Sequence, residues 1–197
     1  MRIGVDVGGT NTDAVLLLGK KVLGAVKRPT SGDVSSGISE AIGALISECD
    51  VKPGEISAVM IGTTHFTNAF IQRRELVPVY ALRIGFPAAR GIPPFASWPE
   101  DLKTLVCGGS AMVPGGFEFD GREISPLDEA GIAEVVTGAR AKGIGQIAVS
   151  CIFSQLNAEH ESRAAALISE LAPEMEVSLS SELGRVGLLE RENAAIM

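Results

Sequence analysis

Basic residues never gather in this chain: no Lys/Arg cluster exceeds a pair, as at Lys20-Lys21, Lys27-Arg28 and Arg73-Arg74, and the formal net charge is −7. A nucleic-acid binder needs a basic face to neutralise phosphates, so that class of partner is excluded. Long apolar runs are missing too. No stretch reaches the ~18 residues of a membrane span, and Met1 leads directly into an apolar run. Neither a span nor a signal peptide is expected. Cysteine is sparse and odd in number: Cys49, Cys107 and Cys151 stand far apart. They fit neither a zinc spacing nor a disulfide framework, which points to reduced thiols in a cytoplasmic protein. Cys49, on the apolar face of an expected helix, and Cys151, inside an expected strand, read as core. Aromatics make up only 5% of the chain. Ala, Val, Ile, Leu and Gly dominate instead, and 46% of residues are hydrophobic. A 197-residue chain of this kind suits one α/β domain, or slightly more, with buried strands.

The most informative segment is Ile3-Gly4-Val5-Asp6-Val7-Gly8-Gly9-Thr10-Asn11-Thr12-Asp13. An apolar strand carries an acid, Asp6, into a Gly-Gly-Thr turn, and a second apolar run, 14–18, follows at once. The glycines let an oxyanion approach the backbone, where their N–H groups and the Thr10 and Thr12 hydroxyls can donate to it. Asp6 is placed to hold Mg²⁺ through water, because that ion keeps most of its hydration shell. A Gly-Gly pair between apolar runs can also be a plain hairpin turn. The acid in the strand and the crowded polar turn favour a phosphate-binding hairpin, and hence ATP.

Strands are expected over 2–7, 12–18 and 22–27, then a helix over about 34–49 capped by Asp33. A short strand at 57–61 runs into a helix over 65–74, and another strand covers 76–82. Residues 84–124 hold half of the ten prolines and the single tryptophan, Trp98. They read as a loop-rich insertion with one hairpin, 117–124, turned at Asp120-Gly121, long enough to cover or form part of a site. Cys107-Gly108-Gly109 within it reads as a loop turn. Ser125, followed by Pro126 and Asp128, is expected to cap a helix that stops at Gly143. A buried strand at 146–153, a helix from Asn157 to about residue 171, a strand at 177–179 and a helix within 184–197 complete the order. That last segment reads as the start of a next domain after a first domain of 1–180, in a chain truncated from a longer protein.

A second chemical signal is Gly62-Thr63-Thr64-His65-Phe66-Thr67-Asn68-Ala69, at a strand's carboxyl end, where ligands gather in α/β sheets. The helix-start N–H groups and the two threonine hydroxyls suit a phosphate or carboxylate. One of Thr63 and Thr64 could equally serve only as a helix cap. Asn68 lies one turn further and, if the two strands are neighbours, faces the same end of the sheet as the first motif. His65 and His160 are the only side chains titrating near neutrality, and no triad spacing supports either. His160, beside Glu159, Glu161 and Arg163, reads as a solvated helix face. So do Glu190 and Glu192 around Arg191.

These motifs, followed in order by Ser125-Pro126-Leu127-Asp128-Glu129, Asn157-Ala158-Glu159-His160-Glu161 and Ser178-Leu179-Ser180-Ser181-Glu182, resemble the amino-terminal region of the hydantoinase/oxoprolinase family. N-methylhydantoinase A, 5-oxoprolinase and acetone carboxylase subunits belong to it. The resemblance implies an α/β, ribonuclease-H-like (actin-like ATPase) mixed-sheet fold whose two halves clamp ATP and Mg²⁺, the second half lying beyond this chain. It gives Asp6 to Mg²⁺ and Gly8, Gly9, Thr10, Asn11, Thr12 and Asp13 to the nucleotide, with Gly62, Thr63, Thr64 and Asn68 in the cleft. The implied activity is ATP-dependent phosphorylation of a carbonyl or amide oxygen in a small cyclic amide or ketone. A second hydantoinase-type subunit and a homo- or hetero-oligomer would accompany it. Asn11 replaces the family's usual phenylalanine, and His65-Phe66 its Val-Ala, so the substrate can differ. Asn11 also makes the hairpin resemble that of sugar kinases, and a nucleotide-gated non-catalytic subunit is a further alternative. By itself the 197-residue chain is expected to be inactive.

Overall fold

The structure is a computed structural model that describes residues 1–31, 33–184 and 187–197; of His65, only the backbone is described. The chain forms two compact units, Met1–Glu75 and Leu76–Met197.

The first unit begins with β1 (Arg2–Val7), β2 (Asn11–Leu18) and β3 (Lys21–Pro29), each antiparallel to the next. Then α1 (Val34–Glu48) crosses over to β4 (Ala58–Thr63), which pairs parallel to β1 and gives the order β3-β2-β1-β4. Parallel pairing requires such a crossover, whereas tight turns suffice for the meander. Period-two alternation sets the faces: Ile3, Val5 and Val7 are buried with Ala14, Leu16 and Val26 against Ala41 and Leu45 of α1, while Asp6 is exposed. Asp33 caps α1 as expected, its Oδ1 accepting the Ser35 N–H at 3.1 Å. Bonding from the Ser36 hydroxyl is the main cause that holds its carboxyl below the usual range. Cys49 lies over Gly24, so closely that any Cβ at that glycine would run into its sulfur. After β4, α2 (His65–Gln72) ends at Arg73, which takes the left-handed conformation.

The second unit is an all-parallel sheet, β6-β5-β7-β8. Its strands are β5 (Val79–Phe86), β6 (Cys107–Pro114), β7 (Gln146–Cys151) and β8 (Glu176–Leu179), linked by α3 (Glu100–Val106), α4 (Glu129–Ala141) and α5 (Glu159–Leu171). Leu82, Ile84, Val113, Ile147 and Val149 form a core with Ile132, Val136, Ala164 and Ile168 of the two longer helices. The other face meets α7 (Leu188–Ile196), preceded by the short α6 (Ser180–Leu183). Segment 181–197, apart from 185 and 186, which lie outside the described residues, thus belongs to the same compact unit as β5–β8.

Several expectations change here. The strand read as 76–82 starts at Val79, after Pro78, which has no N–H for a ladder, and runs to Phe86. The loop-rich insertion contains α3 and β6, and Cys107-Gly108-Gly109 are strand residues, not a turn. Their glycines are demanded by packing: a Cβ on Gly108 would lie 2.8 Å from Ile144 Cδ1. The hairpin at 117–124 is reduced to one bridge, Phe117 to Glu123. Asp128, not Ser125, caps α4, its Oδ1 accepting the Gly131 N–H at 2.9 Å.

Of the surface faces read around His160 and Arg191, Glu159, Arg163 and Glu190 are exposed as expected, whereas His160, Glu161, Arg191 and Glu192 are buried. His160 Nδ1 accepts the Gly116 N–H at 2.9 Å, so the ring is protonated at Nε2, 3.0 Å from Glu123 Oε1. Glu192 accepts from Arg83 Nε at 2.7 Å and from the Ser150 hydroxyl at 2.8 Å. Arg191 donates to the Cys151 carbonyl and Ser154 Oγ, and burial lowers its pKa against the opposing pull of Glu161. Glu161, fully buried, accepts from Ser180 Oγ at 2.6 Å.

Candidate functional site

The β1–β2 pairing ends at Val7 and Thr12, leaving residues 8–11 as the turn. The Gly8 N–H donates to the Asn11 carbonyl at 2.9 Å and closes that turn, so one of the donors expected for an oxyanion is engaged internally. Gly9 and Thr10 are exposed, and their N–H groups have no partner among the described residues.

Thr30, just beyond β3, braces the same turn. Its N–H donates to the Thr10 carbonyl at 2.9 Å, and its hydroxyl donates to the Gly8 carbonyl at 2.8 Å. The Thr12 and Thr30 hydroxyl oxygens are 3.3 Å apart. Since the single Thr30 hydroxyl proton points at Gly8, the Thr12 hydroxyl is the donor in that contact. Thr12, 1% exposed, therefore faces the core side of the sheet and holds the brace. This differs from the expectation that its hydroxyl faces a phosphate. Thr10 keeps its hydroxyl at the surface, where it accepts from Asn11 Nδ2 at 3.4 Å.

Asp6 stands on the opposite face, in register with Asp13 of β2 and Gly62 of β4. Asp13 is paired with Lys27 Nζ at 3.3 Å, in an exposed contact of little energetic weight. The second motif meets the first at the last carbonyl of β1. Val7 accepts from the Thr64 N–H at 3.2 Å and from Thr63 Oγ1 at 3.3 Å. Thr64 occupies the N-cap position of α2 without a side-chain capping bond, so the cap alternative is not realised by its hydroxyl. Asn68, whose N–H donates to the Thr64 carbonyl at 2.9 Å, lies against the turn: a Cβ on Gly9 would be 3.2 Å from Asn68 Nδ2.

Asp6, the 8–11 turn, Thr63, Thr64 and Asn68 are thus gathered at one end of this sheet, from segments some sixty residues apart. His65 shares α2, its side chain lying outside the described residues. No group of three or more His, Cys, Asp or Glu among the described residues is arranged to hold a metal ion directly. Mg²⁺ held by one carboxylate, water and substrate phosphates needs no such group. Asp6 and the open Gly9–Thr10 backbone are groups that a hydrated Mg²⁺–phosphate could use. In the second unit, burial pushes the Cys151 thiol up to about 12, which removes it as a nucleophile.

A β3-β2-β1-β4 sheet with an acid, a glycine turn and a threonine–asparagine motif at one end defines an α/β protein of ribonuclease-H-like type. The chain belongs to the family described as the hydantoinase/oxoprolinase N-terminal region, whose model matches residues 2–172. The caprolactamase subunit alpha of Pseudomonas jessenii is 27% identical over 92% of this chain, which spans only 28% of that relative. Among solved structures, nucleotide-free acetone carboxylase superposes with a TM-score of 0.74 at 17% identity, covering 99% of this chain and 31% of that one. The ATP-dependent caprolactamase from Pseudomonas jessenii gives 0.70 at 23% identity, with 100% and 30% covered. Both share the fold.

Proposed function

We propose that this chain is the nucleotide-binding amino-terminal part of an ATP-dependent enzyme that opens a small cyclic amide. The observation that carries this reading is the meeting of Asp6, the open Gly9–Thr10 backbone and Asn68 at one sheet end. Family membership and the names of the similar caprolactamases support it.

An amide carbonyl is a poor electrophile, and bound ATP would supply the activation, its γ-phosphoryl group passing to the carbonyl oxygen as ADP leaves. The chain's own contribution is positioning and charge stabilisation. The Gly9 and Thr10 N–H groups and the Thr10 hydroxyl would bind phosphate oxygens. Asp6 would orient Mg²⁺ through water, and Asn68 and Thr63 would line the same end. Asp13, in register with Asp6 and 3.3 Å from Lys27 Nζ, would stand beside the nucleotide. A partner subunit, as in the caprolactamase named by its alpha subunit, would complete the work on the opened ring. The three free cysteines suit a cytoplasmic setting. The 197 residues alone are expected to bind phosphate weakly and turn over nothing.

The test is ATP hydrolysis by the whole protein with a panel of lactams, hydantoins, ketones with bicarbonate, and sugars. Lactam- or hydantoin-stimulated turnover, abolished in Asp6→Asn, is the expected result. Sugar stimulation with a stable phosphorylated product would assign the protein to the kinases instead. Unchanged ATP affinity in Asp6→Asn would remove the site assignment altogether.

A further inference from the structure

We infer that Thr30, which contributes no group to the open side of the turn, is the positioning residue of the nucleotide site. The inference rests on the ATP reading above. A four-residue turn rich in glycine has many backbone states, and only some aim the Gly9 and Thr10 N–H groups at one point. Closure by Gly8 and Asn11 fixes the base of the turn, not its tip. Thr30 supplies the missing restraint. Its N–H holds the Thr10 carbonyl and its hydroxyl holds the Gly8 carbonyl, one on either side of Gly9. Holding the Gly8 carbonyl fixes the peptide plane that carries the Gly9 N–H, and holding the Thr10 carbonyl fixes the next plane but one, so the Gly9–Thr10 plane with its Thr10 N–H is restrained from both sides. The buried Thr12 hydroxyl donates to Thr30 and sets the direction of its proton, so a Thr12–Thr30–Gly8 chain runs from core to turn. Preorganised donors bind a phosphate without paying to order the loop first, which is where the affinity comes from.

The experiment compares Thr30→Ala with Thr30→Ser in the whole protein, measuring the Kd for ATP with Mg²⁺ and the melting temperature together. This pair differs essentially by the hydroxyl. Thr30→Val, which keeps the branched shape, is the third variant. Alanine and valine are expected to weaken ATP binding about five- to tenfold, the size of one hydrogen bond's loss. Serine is expected to restore binding to within about twofold, because the Ser hydroxyl can make the same bond to Gly8. The N–H bond to Thr10 survives in all three, which limits the loss.

Gly24→Ala is the control for stability: it strains the same unit inside β3, six residues before Thr30, and should lower the melting temperature without moving the Kd. A Thr30→Ala protein with wild-type Kd overturns the inference, as does a serine variant as weak as alanine. Should Thr30→Val fail to fold, the alanine–serine comparison decides alone. Failure of the underlying reading looks different. In that case wild-type protein does not bind ATP, or Asp6→Asn binds it unchanged, and the Thr30 role falls with it. Loss of binding in Asp6→Asn with full binding in Thr30→Ala rejects Thr30 only.

Discussion

The two units of this chain solve the burial of a four-stranded sheet in opposite ways. In the second unit the sheet is all parallel, and helices cover both faces: α4 and α5 on one, α7 on the other. Even its charged groups are drawn inside, where Arg83, Ser150 and Glu192 satisfy one another. In the first unit one helix covers one face. The opposite face presents Asp6, and every residue of β4 is exposed. The difference is one of division of labour. A sheet buried on both faces has its polar groups committed to each other, whereas a half-covered sheet with a glycine turn keeps donors and a carboxylate available at its end.

The sharpest way to break that comparison is to open the ionic core of the second unit. Glu192→Ala leaves Arg83, 1% exposed, without its bidentate partner. An uncompensated buried charge of this kind costs about 3–5 kcal/mol. Urea denaturation should show that loss, with ATP affinity of the folded protein maintained. A loss below about 1 kcal/mol would mean that the arginine finds water or another acceptor, as exposed pairs allow. The first unit is tested at its tightest contact. Gly24→Ala pushes a Cβ onto Cys49 Sγ and should cost about 1–3 kcal/mol as an overpacked core does. Combining it with Cys49→Ala should recover part of the loss, a coupling that a double-mutant cycle measures directly.

The same contrast governs what could be read in the sequence. In the first unit the elements follow local signals: alternation in β1 and β2, the glycine turn, and Asp33 before α1. The inward side of Thr12 was legible too, since it shares parity with Ala14 and Leu16; the pull of the phosphate motif hid it. Thr30 carries no mark in sequence, because its meaning lies in carbonyls some twenty residues away. In the second unit β6 reads as a loop because its glycines answer to Ile144 and Tyr80, which only the fold brings near. Likewise Glu190-Arg191-Glu192 looks like any solvated helix turn. Arg83, 109 positions away, and Ser150, 42 away, show that Glu192 points inward.

The smallest effect expected separates the units by their thiols. Cys151 is fully buried; desolvation, and then the charge of Glu161, raise its pKa from the ordinary value near 9 to about 12. The folded state thus holds this proton more tightly than the unfolded chain does. Its contribution to stability is fully present below about pH 9 and is lost as pH rises from 9 toward 12. The slope from this one group is at most about 1.4 kcal/mol per pH unit. Cys151→Ala lacks the titration but leaves a small cavity, so it should be less stable than wild type at pH 8. That gap should narrow steadily by pH 11, because only the wild type loses stability through this thiol. Lysine and tyrosine titrations are common to both proteins and cancel in the difference. Cys49, in the first unit, is only partly buried and stands over Gly24 rather than in a closed core. A gap for Cys151→Ala that stays constant over this range would mean that water reaches its thiolate, and that the second unit is less closed than its packing indicates.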